Sequence, residues 1–236
     1  MSPSVDSGTP GFFAHLDAAK WADIARASGD TLLMLAGALP PTLLLVTALG
    51  LLLYLSAPGA PRPHRALNGV LAFVVNVLRS VPFIILMIAM IPLTLALMGT
   101  SLGVRGAILP LVVGAVPFHA RLVETALREV DRGVIEAVQA MGASTGQLVR
   151  RVLLPEAMPG LVAAATVTAI ALVGFTAMGG AIGSGGLGDL AYRDGYQRSH
   201  ADVALVTVVL LVLLVQAVQM IGDRLVARFA RRRAGH

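Results

Sequence analysis

Hydrophobic residues in this chain fall in long blocks separated by short polar stretches, with no alternation of polar and apolar positions. The first block covers residues 31–55 and is interrupted only by Pro40 and Pro41. The second covers 67–98, carrying Arg79 and Pro82 in its first half, with its uninterrupted part at 81–98. A third covers 107–120 and contains Pro110 and Pro117; a fourth covers 158–182 and a fifth 203–221. A helix needs about 20 apolar residues to cross about 30 Å of hydrocarbon at about 1.5 Å per residue. The pattern therefore predicts an all-α integral membrane protein with five transmembrane helices. The third block is short for a span, and the count of five depends on it. An odd count places the two termini on opposite sides.

The polar gaps set the orientation, because cationic residues are retained on the cytoplasmic side. Residues 1–30, 99–106 and 183–202 together hold five cations: Lys20, Arg26, Arg105, Arg193 and Arg198. The opposite flanks hold twelve: Arg62, Arg65, Arg121, Arg128, Arg132, Arg150, Arg151, Arg224, Arg228, Arg231, Arg232 and Arg233. The imbalance predicts an outer N-terminus and a cytoplasmic C-terminus. Arg79, the remaining cation, lies near the start of the second block on the cytoplasmic side. An arginine at mid-bilayer costs about 2.5–3.5 kcal/mol on insertion scales, so Arg79 is expected to snorkel to that face or to pair there. Asn76 shares its helical face, either as a helix-helix hydrogen bond or as part of a path.

Residues 1–30 carry Asp6 instead of a basic start, and no apolar stretch of a signal peptide follows. Phe13, Leu16, Lys20 and Ile24 recur at helical spacing beside Trp21, which predicts an extracytoplasmic extension that is either a short interfacial helix leading into the first span or plain disorder. The membrane domain then covers 31–228, and 229–236 forms a basic cytoplasmic tail.

Only 13% of residues are charged, about half the 25% of an ordinary soluble domain, which argues against a free-standing globular enzyme. The net charge of +5 comes from arginines flanking the apolar blocks, so membrane anchoring explains it better than a nucleic-acid surface. The absence of cysteine excludes disulfides, thiolate metal sites and cysteine nucleophiles. No catalytic group, metal site or cofactor is predicted, and His119 has no second ligand three or four residues on. None of the thirteen acids lies inside a predicted span, which argues against an ion-coupled secondary transporter.

Between the third and fourth blocks, residues 121–155 change character. Arg121, Glu124, Arg128, Glu129, Asp131, Arg132 and Glu136, joined by Arg150 and Arg151, make the segment solvated. Within it Val134, Ile135, Val138 and Met141 recur at helical steps and end at Gly142, a natural helix stop. Such an element is either a helix lying on the membrane surface or a docking helix whose apolar stripe fills a groove on a cytoplasmic partner.

The wording of the segment favours docking. Glu136, Ala137, Val138 and Gly142 form E-A-V-x-x-x-G, followed after nine residues by V-x-L-P ending at Leu154 and Pro155. This resembles the EAA motif of bacterial ABC importer permeases, with Val138 in place of the usual alanine and Val152 in place of the usual isoleucine. Asn76 with 79–92 (R-S-V-P-F-I-I-L-M-I-A-M-I-P), 115–124 (A-V-P-F-H-A-R-L-V-E) and 174–188 (G-F-T-A-M-G-G-A-I-G-S-G-G-L-G) extend the likeness to the methionine-uptake permease family.

That resemblance implies a type I ABC importer permease fold in a bacterial inner membrane. It implies a homodimer with one translocation path at its two-fold axis, for methionine or alternatively another small amino acid or methionine-like compound. It also implies a cytoplasmic ATPase dimer and an extracytoplasmic substrate-binding protein as partners. A single lysine and no G-x-x-x-x-G-K-[ST] loop agree with ATP being handled by a partner. By the same resemblance Glu136, Ala137, Gly142, Leu154 and Pro155 form the ATPase coupling segment. Glu136 then sits near the helix N-terminus, Gly142 turns the chain back, and Pro155 opens the fourth span. Met178 resembles the family's gate and Asn76 is a second path residue. Asp189, Arg193 and Asp194, in the outer loop 183–202, are the expected docking surface for the binding protein.

Gly183, Gly185 and Gly188 spell G-x-G-x-x-G, but no strand precedes them, so a dinucleotide site is not expected. Their small size instead suits close backbone approach between helices, as at a dimer axis.

Overall fold

The computed structural model describes residues 15–234, and the side chains only through Arg231. Phe13 and Asp6 therefore lie outside the described residues, as do 235–236 of the tail. The described chain is helical throughout: α1 (Ala18–Ser56), α2 (Arg65–Ser80), α3 (Phe83–Ala89), α4 (Ile91–Met98), α5 (Gly103–Arg128), α6 (Arg132–Ala140), α7 (Thr145–Leu148), α8 (Leu154–Gly180), α9 (Gly186–Leu190) and α10 (Ala201–Ala234). Wide π-turns link α7 to α8 at Val149–Leu153 and follow α9 at Ala191–Gln197. Four of the described helices are long and apolar enough to cross a membrane, and α2 with α3, bent by 100° between them, passes the same test as a pair, which makes five if that pair is one broken span.

Four sequence expectations change. The interfacial helix and the first span are one helix, opened by the Asp17 carboxylate, which accepts from the Lys20 amide at 2.7 Å. Pro40 and Pro41 lie inside it without ending it. The second block is not one continuous helix. Proline disfavours helical geometry in the residue before it, and Val81 is extended (φ −83°, ψ 122°), so α2 stops at Ser80 and Pro82 opens α3. A further break at Met90 precedes Pro92, near the start of α4. The third block, short by composition, belongs to a 26-residue helix. The basic tail is likewise no separate unit, since α10 runs through to Ala234.

The core is stacked in three levels. At one end Ile24 and Ala27 of α1 meet Leu187 and Leu190 of α9 and Val203 of α10. In the middle Met34 and Leu35 pack with Phe83, Met87, Leu111, Val112, Leu172 and Val173 of α3, α5 and α8, and the Phe83 and Phe175 rings stack at 4.2 Å. At the arginine-rich end Val46, Val123 and Leu127 meet Ile135, Leu148, Leu153 and Ala157. The central helix α5 is largely covered by its neighbours, whereas α10 leaves Leu205, Val208, Val209, Val212, Leu213, Met220, Ile221 and Leu225 exposed. Such a bulky apolar face suits lipid.

Candidate functional site

The segment between α5 and α8 is built from paired caps. Glu124, buried near the end of α5, accepts from Arg121 Nη1 and Arg128 Nη2 at 2.7 Å each, and from Arg128 Nε at 3.2 Å. Both arginines sit on its helical face at i−3 and i+4, so α5 continues past its apolar block with its charges compensated. The Asp131 carboxylate then caps α6 by accepting from the Val134 amide at 3.1 Å. The helix closes with Gly142 N–H donating to Gln139 O at 2.9 Å and Ala143 N–H to Val138 O at 3.3 Å, the paired bonds of a Schellman stop. Gly142 has φ +78° and nothing near the position of a Cβ. Ser144 and Gln147 form a capping box that restarts the helix at α7.

The apolar stripe of α6 is divided. Ile135 is buried and Val138 half-buried against α1, α5 and α8, whereas Val134 and Met141 are exposed. Glu136 and Ala137 are also exposed. Glu136 lines a cavity of about 360 Å³ between α6 and the α1–α2 connection, with Tyr54, Arg128, Arg132 and Gln139. Leu154 is half-buried and Pro155 exposed. Pro155 does not open a span: helix runs from Thr145 to Gly180, and the proline follows the π-turn, where Leu154 N–H reaches Val149 O five residues back. The wide turn accommodates a residue that lacks its own donor.

A second feature is the uncovered face of α8. Ala163, Val167, Gly174, Met178 and Ala181 are exposed at helical spacing, and nothing lies within 4 Å of a Cβ placed on Gly174. This face is small where the α10 face is bulky. Asn76 is exposed on α2, which packs on α1 and α5, while α8 packs on α1, α5, α9 and α10. Within one copy, then, Asn76 and Met178 stand on different helix pairs.

The glycine run works inside the chain. A Cβ on Gly180 would lie 2.1 Å from Asp189 N, and one on Gly188 would lie 2.2 Å from Ala177 O. The end of α8 and α9 thus cross backbone to backbone, and Thr31 Oγ1 of α1 accepts from Leu187 N–H at 2.9 Å. These close approaches are contacts within one copy.

Residues 186–197 within the expected loop are helical, and Asp194 is not free for docking. It is buried, Lys20 Nζ of α1 donates to it at 2.5 Å, and Arg198 and Arg193 pair with it at 3.0 and 3.8 Å. Burial pushes its carboxyl up, but Lys20 and the two arginines outweigh this and hold it below the usual aspartate range. Arg193 is exposed and Asp189, 3.6 Å from it, is half-buried. His15 adds a second tie: its amide donates to Asp202 at 2.9 Å, and its ring stacks on His200 at 4.0 Å.

Over residues 47–235 the sequence matches the family described as "Binding-protein-dependent transport system inner membrane component". The chain belongs to this family of transport permeases. Among relatives, the methionine import system permease protein MetP of Bacillus subtilis is 54% identical over 172 residues, 73% of this chain and 78% of that one. The probable D-methionine transport system permease protein MetI of Vibrio cholerae is 46% identical over 209 residues, 89% of this chain and 93% of that one. A solved structure of inward-facing MetNI methionine ABC transporter is similar with a TM-score of 0.89 at 46% identity, covering 91% of this chain and 99% of its counterpart. The permease is accordingly a multi-pass membrane subunit and not an enzyme; ATP hydrolysis is done by a separate ATPase.

Sequence reasoning missed Glu124, Thr31 and the Lys20–Asp194 pair. The Arg121, Glu124, Arg128 spacing was a readable signal for the first. No local signal links Lys20 to a residue 174 positions away.

Proposed function

We propose that the permease forms, as a homodimer, the translocation path of an ATP-driven importer of methionine. The likeness to MetNI across 91% of the chain carries this reading. The uncovered small-residue face of α8, centred on Gly174 and Met178, supports its use against a second copy, where small side chains allow close packing. Met178 then gates the path at the axis, with Asn76 further along it.

The exposed part of α6, with Glu136, Ala137, Val134 and Met141, and the turn at Gly142 dock on the ATPase dimer. Leu154 and Pro155 carry that contact into α8. The twelve arginines of the α6 end support a cytoplasmic location for it and for the C-terminus, with the N-terminus outside. There, Arg193 with Asp189 faces the substrate-binding protein, and Asp194 holds the surface together from beneath.

The test is uptake of labelled methionine into proteoliposomes holding the permease, its ATPase and its binding protein, with unlabelled amino acids as competitors. Methionine should compete best. Uptake of a different amino acid that methionine does not compete would overturn the substrate.

A further inference from the structure

Arg79 is expected by sequence at the cytoplasmic boundary, snorkelling or paired. It is neither. Fourteen residue steps of α2 lead from Arg65 to it, about 21 Å along the helix axis at about 1.5 Å per residue. Its neighbour Leu78 flanks the same apolar crevice as Leu45 of α1 and Val112 and Val113 of α5. The guanidinium carbon lies 5.4 Å from the centre of the Phe118 ring, one turn of α5 inward from Arg121.

The side chain is exposed, and among the described residues no acid pairs with it. By contrast, Arg121 and Arg128 are both neutralised by Glu124. Arg79 also belongs to a stripe. Arg65, Gly69, Asn76, Arg79 and Ser80 are exposed along one side of α2, while Val70, Phe73, Val74 and Val77 are exposed beside them. In hydrocarbon the bulky residues can face lipid, but the small and polar stripe needs water or a polar partner. The stripe ends at the 100° break before α3, and discontinuous helices are where membrane transporters place their substrate contacts.

We propose that Arg79 is a substrate-contacting residue of the path and receives the carboxylate of the amino acid in transit. The assignment rests on the reading of the chain as an amino-acid permease. An amino acid crosses as a zwitterion, and its carboxylate loses water inside the bundle unless a cation replaces it. An arginine fork matches a carboxylate with two parallel hydrogen bonds, and the Phe118 ring beneath the guanidinium holds its plane. Asn76 and Ser80 add polar groups on the same side.

The chain has no cysteine, so Arg79→Cys introduces its one thiol. In proteoliposomes of the full transporter, with the complex lacking this thiol as control, Arg79→Cys should lower methionine uptake at least tenfold. Aminoethyl methanethiosulfonate, which restores a positive charge, should recover uptake to within about threefold of the parent. The neutral methyl reagent should not, and methionine should slow both modifications. Arg79→Lys should likewise transport better than Arg79→Gln at equal amounts of assembled complex. The proposal is overturned if the thiol is unreachable from water, if both reagents act alike, or if Arg79→Gln transports as well as the parent. Failure of the parent itself to take up methionine would instead refute the substrate reading; charge rescue on the amino acid it does transport would then still support Arg79.

Discussion

Replacing Gly180 with alanine tests whether the glycine run serves packing within one copy. The new methyl would sit 2.1 Å from Asp189 N and 2.3 Å from Gly188 C, both backbone atoms, where ordinary contact begins at 3.4 Å. One element must therefore retreat by about 1.3 Å. Retreat of α9 pulls Leu187 N–H from Thr31 Oγ1, now 2.9 Å away. Overpacking of this kind costs about 1–3 kcal/mol, and the lost hydrogen bond about 1 kcal/mol more. For a chain of this size the sum lowers the melting temperature by roughly 4–16 °C. Gly29→Ala in α1 is the control, since its methyl meets nothing within 4 Å and alanine favours a helix interior by about 0.5–1 kcal/mol. Thermal unfolding of the purified permease in detergent reads both. A Gly180→Ala protein melting within about 2 °C of the parent refutes the backbone-to-backbone crossing.

Three further predictions concern the remaining sites. Gly142→Leu should leave a folded, inserted permease, because only the positive φ opposes it, at about 1–2 kcal/mol, yet abolish coupling of ATP hydrolysis to uptake; normal uptake by the purified variant complex refutes docking at this turn. Met178→Ala should raise either methionine leak without ATP or basal ATP hydrolysis, and unchanged values for both refute the gate. Asp194 contributes stability above the ordinary aspartate pKa near 4, and the contribution is lost as pH falls through its depressed value. Fluorescence of Trp21, the chain's one tryptophan, should report an acid transition below about pH 4. Asp194→Asn should remove this transition and already be destabilised at pH 7 by about 1–3 kcal/mol, less than for a fully buried pair; identical acid profiles refute the clasp.

The helices α1, α8 and α10 were legible because their apolar runs are continuous and long. The ends of α5 were not: Arg121, Glu124 and Arg128 look like a solvated loop until their mutual compensation is seen in three dimensions. Pro82 breaks its helix while Pro110 and Pro117 do not, and the difference lies in the neighbours around α5, which sequence does not display. Of the coupling segment, the caps at Asp131, Gly142 and Ser144 follow local rules and were partly readable. The division of its stripe, with Ile135 turned into the chain and Met141 outward, depends on where α1 and α8 lie. The burial of Asp194 depends on Lys20 in the same way.

The central claim is that the chain provides the path while a separate ATPase provides the energy. Its most direct measurement is methionine uptake into proteoliposomes of the complete transporter, with ionophores present to collapse every ion gradient. Uptake that requires ATP and is indifferent to the ionophores is the predicted result. Uptake that proceeds without ATP and stops when the gradients collapse contradicts it.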